Sequence, residues 1–306
     1  MKKTIVTILH HDEKINLNKL IDKLDHKNID FLLVVVDGFV KLDLKTKIKN
    51  KIIIKKKSIN AIPQNRNIGI DFAIKNKFKI LIFLDSDVMP SKKLILNHVK
   101  AHKKYKNHAM IGGAVLPSHN LKKFNLWEFL DGKLSWFQAI KSRKDIEVKE
   151  PYNLPTCNVS IKTYYLKKYK IRFNENLITG EDALLSSTLR KLKLKSILSS
   201  KISVIHNDRK KFLDFFLHHM KWGRHQYYTV YQTKFPKNLF YISNIMFIFL
   251  FPFLLLIFAF LQSIFVISPW VKNNKWNIFL FPIFFIFHTF KTFNSYLESL
   301  RFKYIF

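Results

Sequence analysis

The chain has 306 residues, of which 48% are hydrophobic and 30 are phenylalanine, and it carries a formal net charge of +32. This length and apolar content exclude a disordered chain and suffice for one large domain or two smaller ones. The charge suits a nucleic acid, an anionic membrane surface or an anionic substrate. The single cysteine, Cys157, excludes an internal disulfide and a zinc site built on several cysteines, so nothing indicates an oxidising compartment.

From the N-terminus to about residue 235, apolar runs alternate with lysine-rich stretches. The first of them, in "MKKTIVTILHHDEK", is too short for a signal peptide, so we interpret it as a strand and expect this part to stay in the cytoplasm. Uninterrupted apolar strands between helices are typical of a mostly parallel sheet covered on both faces. The predicted strands are 4–9, 31–36, 51–55, 79–84, 109–116 and 201–206, and the predicted helices are 14–25, 63–76, 91–105, 181–194 and 210–231.

Three acids follow two of these predicted strands. Asp37 comes after "LLVVV", and Asp85 and Asp87 come after "ILIFL". Ligands of open α/β sheets bind outside the carboxyl ends of the strands, so we expect these acids to face one crevice. An Asp-x-Asp turn lets one carboxylate hold Mg²⁺ or Mn²⁺ while the other reaches a hydroxyl group. The alternatives are a solvated turn, or a cap that Asp85 provides to the helix beginning near Pro90.

The segment "PQNRNIGIDFAIKNK" (63–77) predicts a helix with Arg66 and Asn67 in its first turn. A helix N-terminus favours anions, and an arginine there adds a bidentate donor for phosphate. The alternative is an ordinary surface arginine.

The segment "LITGEDALLSSTLRKLKLK" (177–195) predicts a further helix, in which Gly180 allows a tight approach and Glu181 and Asp182 form the first turn. A fixed carboxylate that faces the crevice would serve as a general base for an acceptor hydroxyl group. The alternative is that these acids only stabilise the helix N-terminus through its dipole.

The C-terminal part changes character, because no charged residue occurs between Asn238 and Val271. This run exceeds the roughly 20 residues that cross a bilayer, and a membrane helix tolerates its Pro252. We predict membrane segments at about 239–268 and 276–290, the second being a short span or an interfacial helix. A buried pair of core helices is the alternative. Lysines on both sides leave the positive-inside rule indecisive.

Four motifs in fixed order resemble the family 2 glycosyltransferases with the A-type fold. They are "VVVDG", "NRNIGIDFA", "ILIFLDSDVMP" and "NVSIKTYYL…FNENLITGEDALLSSTLRK", and the resemblance covers residues 4 to about 206. It implies a Rossmann-like, mostly parallel sheet sandwiched by helices. The resulting prediction is a nucleotide-sugar-binding catalytic domain at 1–235 and a membrane-associated helical region at 236–306.

The resemblance also implies which residues bind the donor. Asp37 matches the acid that contacts the nucleoside, and Arg66 matches an arginine near the diphosphate, with Asn67 beside it. Asp85 would contact the ribose and a metal-bound water, and Asp87 and Glu181 complete the predicted donor-binding set. The chain departs from the family after the first strand, where "LHHDEK" replaces the usual P-x-Y/F-N, and at Asp37, which stands alone where two acids are usual.

For catalysis, the resemblance implies that Asp182 is the base and that Asp87 is a metal ligand. His206, which ends "ISVIH", occupies a place where some relatives have a further metal ligand. The implied cofactor is a divalent cation, Mg²⁺ or Mn²⁺, and the implied outcome is inversion at the anomeric carbon.

We therefore predict an inverting, metal-dependent glycosyltransferase of the hexosyltransferase type at the cytoplasmic membrane face. The expected partners are a nucleotide-sugar donor, a lipid-linked or cell-surface saccharide acceptor and the membrane, without nucleic acid, and the expected context is cell-envelope polysaccharide synthesis. One alternative is a processive polysaccharide synthase, since "HHMKW" (218–222) faintly resembles Q-x-x-R-W. The other is a membrane-tethered, basic nucleic-acid-binding protein, favoured by charge and aromatic content.

Overall fold

The computed structural model describes residues 3–10, 17–37, 42–56, 62–118, 124–177, 179–233 and 245–303. The chain forms two compact units. Unit 1 comprises Met1–Leu116 with Lys141–Asn207, and unit 2 comprises Pro117–Ile140 with Asp208–Phe306. In this division, residues 117–140 and 208–235 belong to unit 2, whereas we predicted them as part of the catalytic domain. The catalytic domain at 1–235 stays a prediction.

The described residues form nine strands in one mixed sheet. The strands are β1 (Thr4–His10), β2 (Phe31–Asp37), β3 (Lys51–Lys56), β4 (Ile80–Asp85), β5 (Val88–Pro90), β6 (His108–Pro117), β7 (Ile146–Glu147), β8 (Asn158–Lys162) and β9 (Lys195–His206). Their order is β3-β2-β1-β4-β8-β6-β9-β5, and β7 pairs with β9.

The α-helices accompany this sheet and continue beyond it. They are α1 (Leu17–Asp22), α2 (Ile62–Lys75), α3 (Leu94–Lys104), α4 (Leu126–Ser135), α5 (Thr163–Lys168), α6 (Glu181–Lys191), α7 (Phe212–Thr233), α8 (Ile245–Asn273) and α9 (Phe281–Lys303). The predicted start of the first helix, 14–16, lies outside the described residues.

Four of the six predicted strands form the parallel part of the sheet, and the other two, 109–116 and 201–206, correspond to β6 and β9. Strands β3, β2, β1 and β4 are mutually parallel. Every residue of β1, and every residue of β2 after Phe31, is buried, as expected for strands covered on both faces. Strand β8 is antiparallel to both β4 and β6, and β9 is antiparallel to β5 and β7. The predicted α/β fold class is confirmed, with the parallel strands on one side of a mixed sheet.

Helix α2 approaches the sheet closely at Gly69. A Cβ atom at this position would lie 2.9 Å from Cγ2 of Thr7 and 3.1 Å from Cε1 of Phe83. Both distances are inside normal van der Waals contact, so only glycine lets the helix pack this near to β1 and β4. Ile70 and Ala73 are buried in the core of unit 1 on the same helix. This packing fixes the first turn of α2 relative to the strands.

Unit 2 contains two helical segments that are long and apolar enough to cross a membrane. They are Phe249–Asn273, with a mean hydropathy of 2.6, and Lys275–Glu298, with a mean hydropathy of 1.2. Exposed phenylalanines cover them, including Phe249 at 72% and Phe253 at 79%. Such surfaces suit contact with lipid, so the segments support membrane association. The predicted start of the first segment, residues 239–244, lies outside the described residues.

The "HHMKW" segment (218–222) lies in α7, and its His219 contacts Asp131 of α4 within unit 2. Nε2 of His219 lies 2.9 Å from Oδ1 of the fully buried Asp131. Oδ2 of Asp131 accepts hydrogen bonds from the backbone N and the guanidinium of Arg209. Burial favours the protonated acid, but the bonds and charges of His219 and Arg209 outweigh it and hold the pKa of Asp131 below its usual value. The histidine therefore stabilises helix packing in unit 2.

Candidate functional site

The carboxyl ends of the parallel strands form one edge of the sheet in unit 1. Strand β2 ends at Asp37 and β4 ends at Asp85, two places apart in the strand order. Strand β8 runs the other way, and its first residue, Asn158, pairs with Leu84. The start of β8 and Cys157, which precedes it, therefore lie at the same edge. We call this side of unit 1 the carboxyl edge.

Arg66 joins two acids at the carboxyl edge. Its Nη1 donates a hydrogen bond to Oε1 of Glu181, and its Nη2 donates to Oδ1 of Asp85 over 3.2 Å. The arginine is only 3% exposed, and its guanidinium lies 5.6 Å from the ring centroid of Phe173. Burial lowers the pKa of Arg66, but Asp85, Glu181 and Asp182 raise it by more, so the side chain stays charged. The alternative of an ordinary surface arginine is excluded, because this residue is a buried ionic centre.

The turn before α6 brings the "GED" acids to this centre. Gly180 has a φ of 78°, a left-handed conformation that glycine adopts without a steric cost. The helix begins at the next residue, so Glu181 and Asp182 occupy its first turn. Oδ1 of Asp182 accepts a hydrogen bond of 2.7 Å from the backbone N of Ala183. The helix dipole thus stabilises these acids, and the same turn directs Glu181 to Arg66.

Asp182 has a strongly perturbed protonation equilibrium. Burial and the charge of Glu181 raise the pKa of Asp182 to about 7, with a further rise from Asp85. The charge of Arg66 and the bond from Ala183 act in the opposite direction. Desolvation and neighbouring carboxylates therefore prevail over the cation. A carboxyl group with a pKa near neutrality is able to accept a proton and to release it under ordinary conditions.

A second pair of side chains combines a carboxylate with an imidazole. Asp87 lies in the turn between β4 and β5, and His206 ends β9, where it pairs with Val88 in the sheet. Nε2 of His206 lies 3.3 Å from Oδ2 of Asp87, and both side chains are largely buried. The backbone N of Asn207 donates to the carbonyl of Asp87 over 2.9 Å. The antiparallel β5–β9 pairing therefore brings together the two residues predicted as metal ligands.

Cys157 shows that these groups converge. Burial raises the pKa of its thiol, and the charges of Asp85, Asp87 and Asp182 add to the rise while Arg66 opposes it. The three carboxylates consequently lie within electrostatic range of one buried atom at the start of β8. Three carboxyl groups, those of Asp85, Glu181 and Asp182, act on the guanidinium of Arg66, which makes its surroundings acidic in a chain whose net charge is +32.

Asn67 has a different environment from its neighbour Arg66. Its Nδ2 donates to the carbonyl of Phe173 over 3.0 Å and to Oε1 of Glu175 over 2.8 Å, and its Oδ1 accepts from the backbone N of Phe173 over 2.9 Å. The side chain therefore ties α2 to residues 173–175. This contact places the ring of Phe173 against Arg66. The predicted donor-binding role of Asn67 stays a prediction.

Asp37 stands apart from the other acids. It is 7% exposed at the end of β2, and β1 separates it from β4. In the sheet register Asp85 is level with Val35, two residues before Asp37. With strands about 4.8 Å apart and a rise of about 3.3 Å per residue, the Cα atoms of Asp37 and Asp85 are roughly 12 Å apart. The predicted nucleoside contact of Asp37 stays a prediction.

Sequence reasoning passed over three residues that shape the site. Phe173 and Glu175 hold the first turn of α2, and Cys157 lies among the acids. Phe173 and Glu175 fall inside the "FNENLITGED" stretch, in which only Glu181 and Asp182 were predicted as site residues. Their packing with α2, more than a hundred residues earlier, has no local signal. Cys157 precedes β8, a strand that the sequence did not predict, so it gave no local signal either.

No protein-family profile and no curated protein sequence matches this chain. Among solved structures, A197 from STIV is 19% identical, with 68% of this chain and 87% of that chain covered and a TM-score of 0.41. S. aureus TarS 1–349 in complex with UDP-GlcNAc is 13% identical, with coverages of 99% and 92% and a TM-score of 0.48. The complex of the same protein with UDP is 11% identical, with the same coverages and a TM-score of 0.45. At these identities and scores, the similarities establish neither a family nor an activity.

Proposed function

We propose that this chain is an inverting, metal-dependent glycosyltransferase, which moves a sugar from a nucleotide-sugar donor to an acceptor hydroxyl group. The observation that carries the proposal is the convergence of Asp85, Glu181 and Asp182 around the buried Arg66 at the carboxyl edge of the sheet. The carboxyl edge is where open α/β sheets bind ligands.

Asp182 is the proposed general base. Its pKa of about 7 lets it accept the proton of an acceptor hydroxyl group near neutral pH. As the proton moves to Asp182, the acceptor oxygen forms a bond to the anomeric carbon and the bond to the diphosphate breaks. The nucleoside diphosphate departs with the electron pair. A single displacement from the opposite face inverts the anomeric configuration and requires no covalent intermediate.

Asp87 and His206 have the chemistry to hold a divalent cation. A carboxylate oxygen and an imidazole nitrogen 3.3 Å apart form a mixed donor set, and the imidazole favours Mn²⁺ over Mg²⁺. The described residues contain no group of three or more His, Cys, Asp or Glu that would complete a cation site alone. Donor phosphates are the usual remaining ligands. When bound, the cation would neutralise charge that develops on the diphosphate.

The other residues of the site position and balance these groups. Arg66 holds Glu181 and Asp85 together, so it fixes the start of α6 and with it the base. Asp85 would contact the ribose and Asp37 the nucleoside, in line with the sequence resemblance. The charge of Glu181 keeps the pKa of Asp182 high enough for a base that works at neutral pH.

Loss of the proposed metal ligand should remove metal-dependent donor binding. We expect Asp87→Ala to weaken binding of UDP, or of the nucleoside diphosphate that the enzyme prefers, in the presence of Mn²⁺. Groups that only hydrogen-bond to a metal ligand already contribute roughly 10- to 100-fold to metal affinity. Loss of a direct ligand should therefore weaken binding by at least about 100-fold. Calorimetric titration with and without Mn²⁺ measures it.

The matched control is Asp43→Ala, at an acid that is 82% exposed in the same unit. It should bind the nucleotide as the parent chain does. Equal Mn²⁺-dependent affinity in Asp87→Ala and the parent protein would reject the metal role.

The two apolar helices of unit 2 support an acceptor at a membrane. We propose that the enzyme acts at the cytoplasmic face on a lipid-linked or cell-surface saccharide, in the synthesis of cell-envelope polysaccharide. The net charge of +32 would favour an anionic lipid surface.

A transfer assay tests the proposed function. The full chain in lipid nanodiscs is incubated with Mn²⁺, a panel of nucleotide sugars, and either a membrane lipid extract or free oligosaccharides as acceptor. We expect one donor to be consumed, and its sugar to appear in the lipid fraction with inverted configuration. Long products would favour a processive synthase. No consumption of any donor, together with salt-sensitive binding of RNA or DNA, would favour the nucleic-acid-binding alternative.

A further inference from the structure

Unit 1 has a concave feature at the edge of the parallel strands opposite the acidic site. A cavity of about 660 Å³ opens beside Lys3, just before β1, and beside Lys79 and Ile80, where β4 begins. Asp85 ends the same strand, so the length of β4 separates the cavity from the acidic site by about 17 Å. We call this feature the amino-edge cavity.

Part of the wall of the amino-edge cavity is apolar. Helix α2 and the turn after it contribute Ile74 and Phe78, β4 contributes Ile80, and α3 contributes Val99. Tyr164, at the start of α5, lines it too and is 62% exposed. These side chains offer a hydrophobic surface to a ligand that enters the cavity.

The lining is strongly basic. It includes the six lysines Lys3, Lys77, Lys79, Lys103, Lys162 and Lys167. No aspartate or glutamate is among its lining residues, all of which belong to the described part of the chain. One of the six, Lys162, donates to the backbone carbonyls of Tyr105 and Lys106, so its ammonium group also stabilises the fold. Five lysines remain without such a bond to the backbone in the described structure.

The negative ends of nearby helix dipoles balance only a small part of this positive charge. Helix α2 ends at Lys75 and α3 ends at Lys104, close to Lys77 and Lys103. A helix C-terminus carries about half a negative charge, so the two ends balance roughly one lysine. Burial lowers the pKa of His102, which also lines the cavity, to about 3, so that side chain adds no charge. A clear positive excess remains.

We propose that the amino-edge cavity is a second binding site, for a phosphate monoester that carries an apolar group. Lysine ammonium groups are point donors that suit a phosphate dianion. The apolar walls suit a hydrocarbon chain or a ring, and the volume lies in the range of about 300–1,000 Å³ typical of small-molecule sites. A bare phosphate would leave the walls in contact with water. A neutral hydrocarbon would leave the lysines without a counter-charge.

Hexyl phosphate, a soluble monoalkyl phosphate, is the probe for this site. The full chain is held in phosphatidylcholine nanodiscs and titrated calorimetrically with hexyl phosphate, with hexanol and with inorganic phosphate. We expect hexyl phosphate to bind at least about tenfold more tightly than either half of the molecule, with an affinity that falls as salt is added. Saturating UDP with Mn²⁺ should leave this binding unchanged.

The double variant Lys103→Gln/Lys167→Gln should weaken hexyl phosphate binding by about tenfold, since each lysine supplies a charged donor. The matched control is Lys100→Gln, because this exposed lysine lies on α3 but does not line the cavity. It should bind as the parent chain does.

Nanodiscs that contain phosphatidic acid distinguish the two sources of such a ligand. Loss of hexyl phosphate binding in these nanodiscs would indicate a lipid headgroup, and unchanged binding would indicate a soluble monoester. Three results would overturn the proposal: equal affinity for hexyl phosphate and hexanol, equal affinity of the double variant and Lys100→Gln, or displacement of hexyl phosphate by UDP.

Discussion

Asp182→Asn is expected to lower kcat by about 10²- to 10⁴-fold, which is the usual range for the loss of a general base. The amide has nearly the shape of the carboxyl group, but it cannot take the proton of the acceptor hydroxyl. Donor binding should persist, because Asp85, Asp87 and Arg66 remain in place. Initial rates of sugar transfer and titration with the nucleotide measure the two effects separately. The matched control is Asp71→Asn, at an exposed acid on α2, which should retain full kcat.

The pH profile offers an independent test of the same assignment. Burial and Glu181 raise the pKa of Asp182 to about 7, so the group is protonated and inactive as a base at lower pH. We expect kcat/KM to fall about tenfold per pH unit below pH 7 and to level off above it. A rate that is flat between pH 5 and 8, or full activity of Asp182→Asn, would refute the role of the base.

The pH dependence of folding stability shows whether Asp182→Asn loses activity through unfolding. Because the pKa of Asp182 is raised in the folded state, its contribution to stability is present at low pH and is lost as the pH rises through about 7. Asparagine does not ionise and lacks this loss. The Tm of Asp182→Asn at pH 8 should therefore not be lower than that of the parent protein, so reduced activity would not reflect unfolding.

Arg66→Gln should destabilise the fold more than any surface substitution. It leaves Glu181 and Asp85 without their cation, and an uncompensated buried charge typically costs about 3–5 kcal/mol of unfolding free energy. Thermal unfolding in detergent should show a Tm that is lower by about 5–15 °C. In addition, the pKa of Asp182 should rise further, because Arg66 is the charge that lowers it.

Arg172→Gln is the matched control, since the same unit contains a second arginine–aspartate pair at the surface. Arg172 is bonded to Asp71, and their side chains are 46% and 57% exposed. An exposed pair contributes about 0–1 kcal/mol, so the Tm should change little. The double variant Arg66→Gln/Glu181→Gln should regain part of the stability lost in Arg66→Gln, because one unpaired charge is removed. Equal Tm losses at Arg66 and Arg172 would contradict the buried ionic centre.

Three of the four parallel strands, β1, β2 and β4, were predictable because they are buried on both faces. Continuous runs such as "FLLVVV" and "ILIFL" have no polar interruption, and the structure places both in central strands. Strands β5, β7 and β8 were not predicted. Two of them are only two or three residues long, and β8, "NVSIK", alternates polar and apolar residues over a length too short to be decisive. Helix α4 was missed because its buried face includes Glu128 and Asp131.

The sequence by itself determined that acids end the predicted strands, that an arginine begins one helix and that two acids begin another. These are local features, because strand and helix periodicity and the position of glycine act within a few residues. Only the tertiary structure decided that Arg66 bonds to Glu181, 115 positions away, and that burial beside Glu181 raises the pKa of Asp182 to about 7. Desolvation and charge pairing depend on which distant segments pack together, and no local pattern encodes that distance.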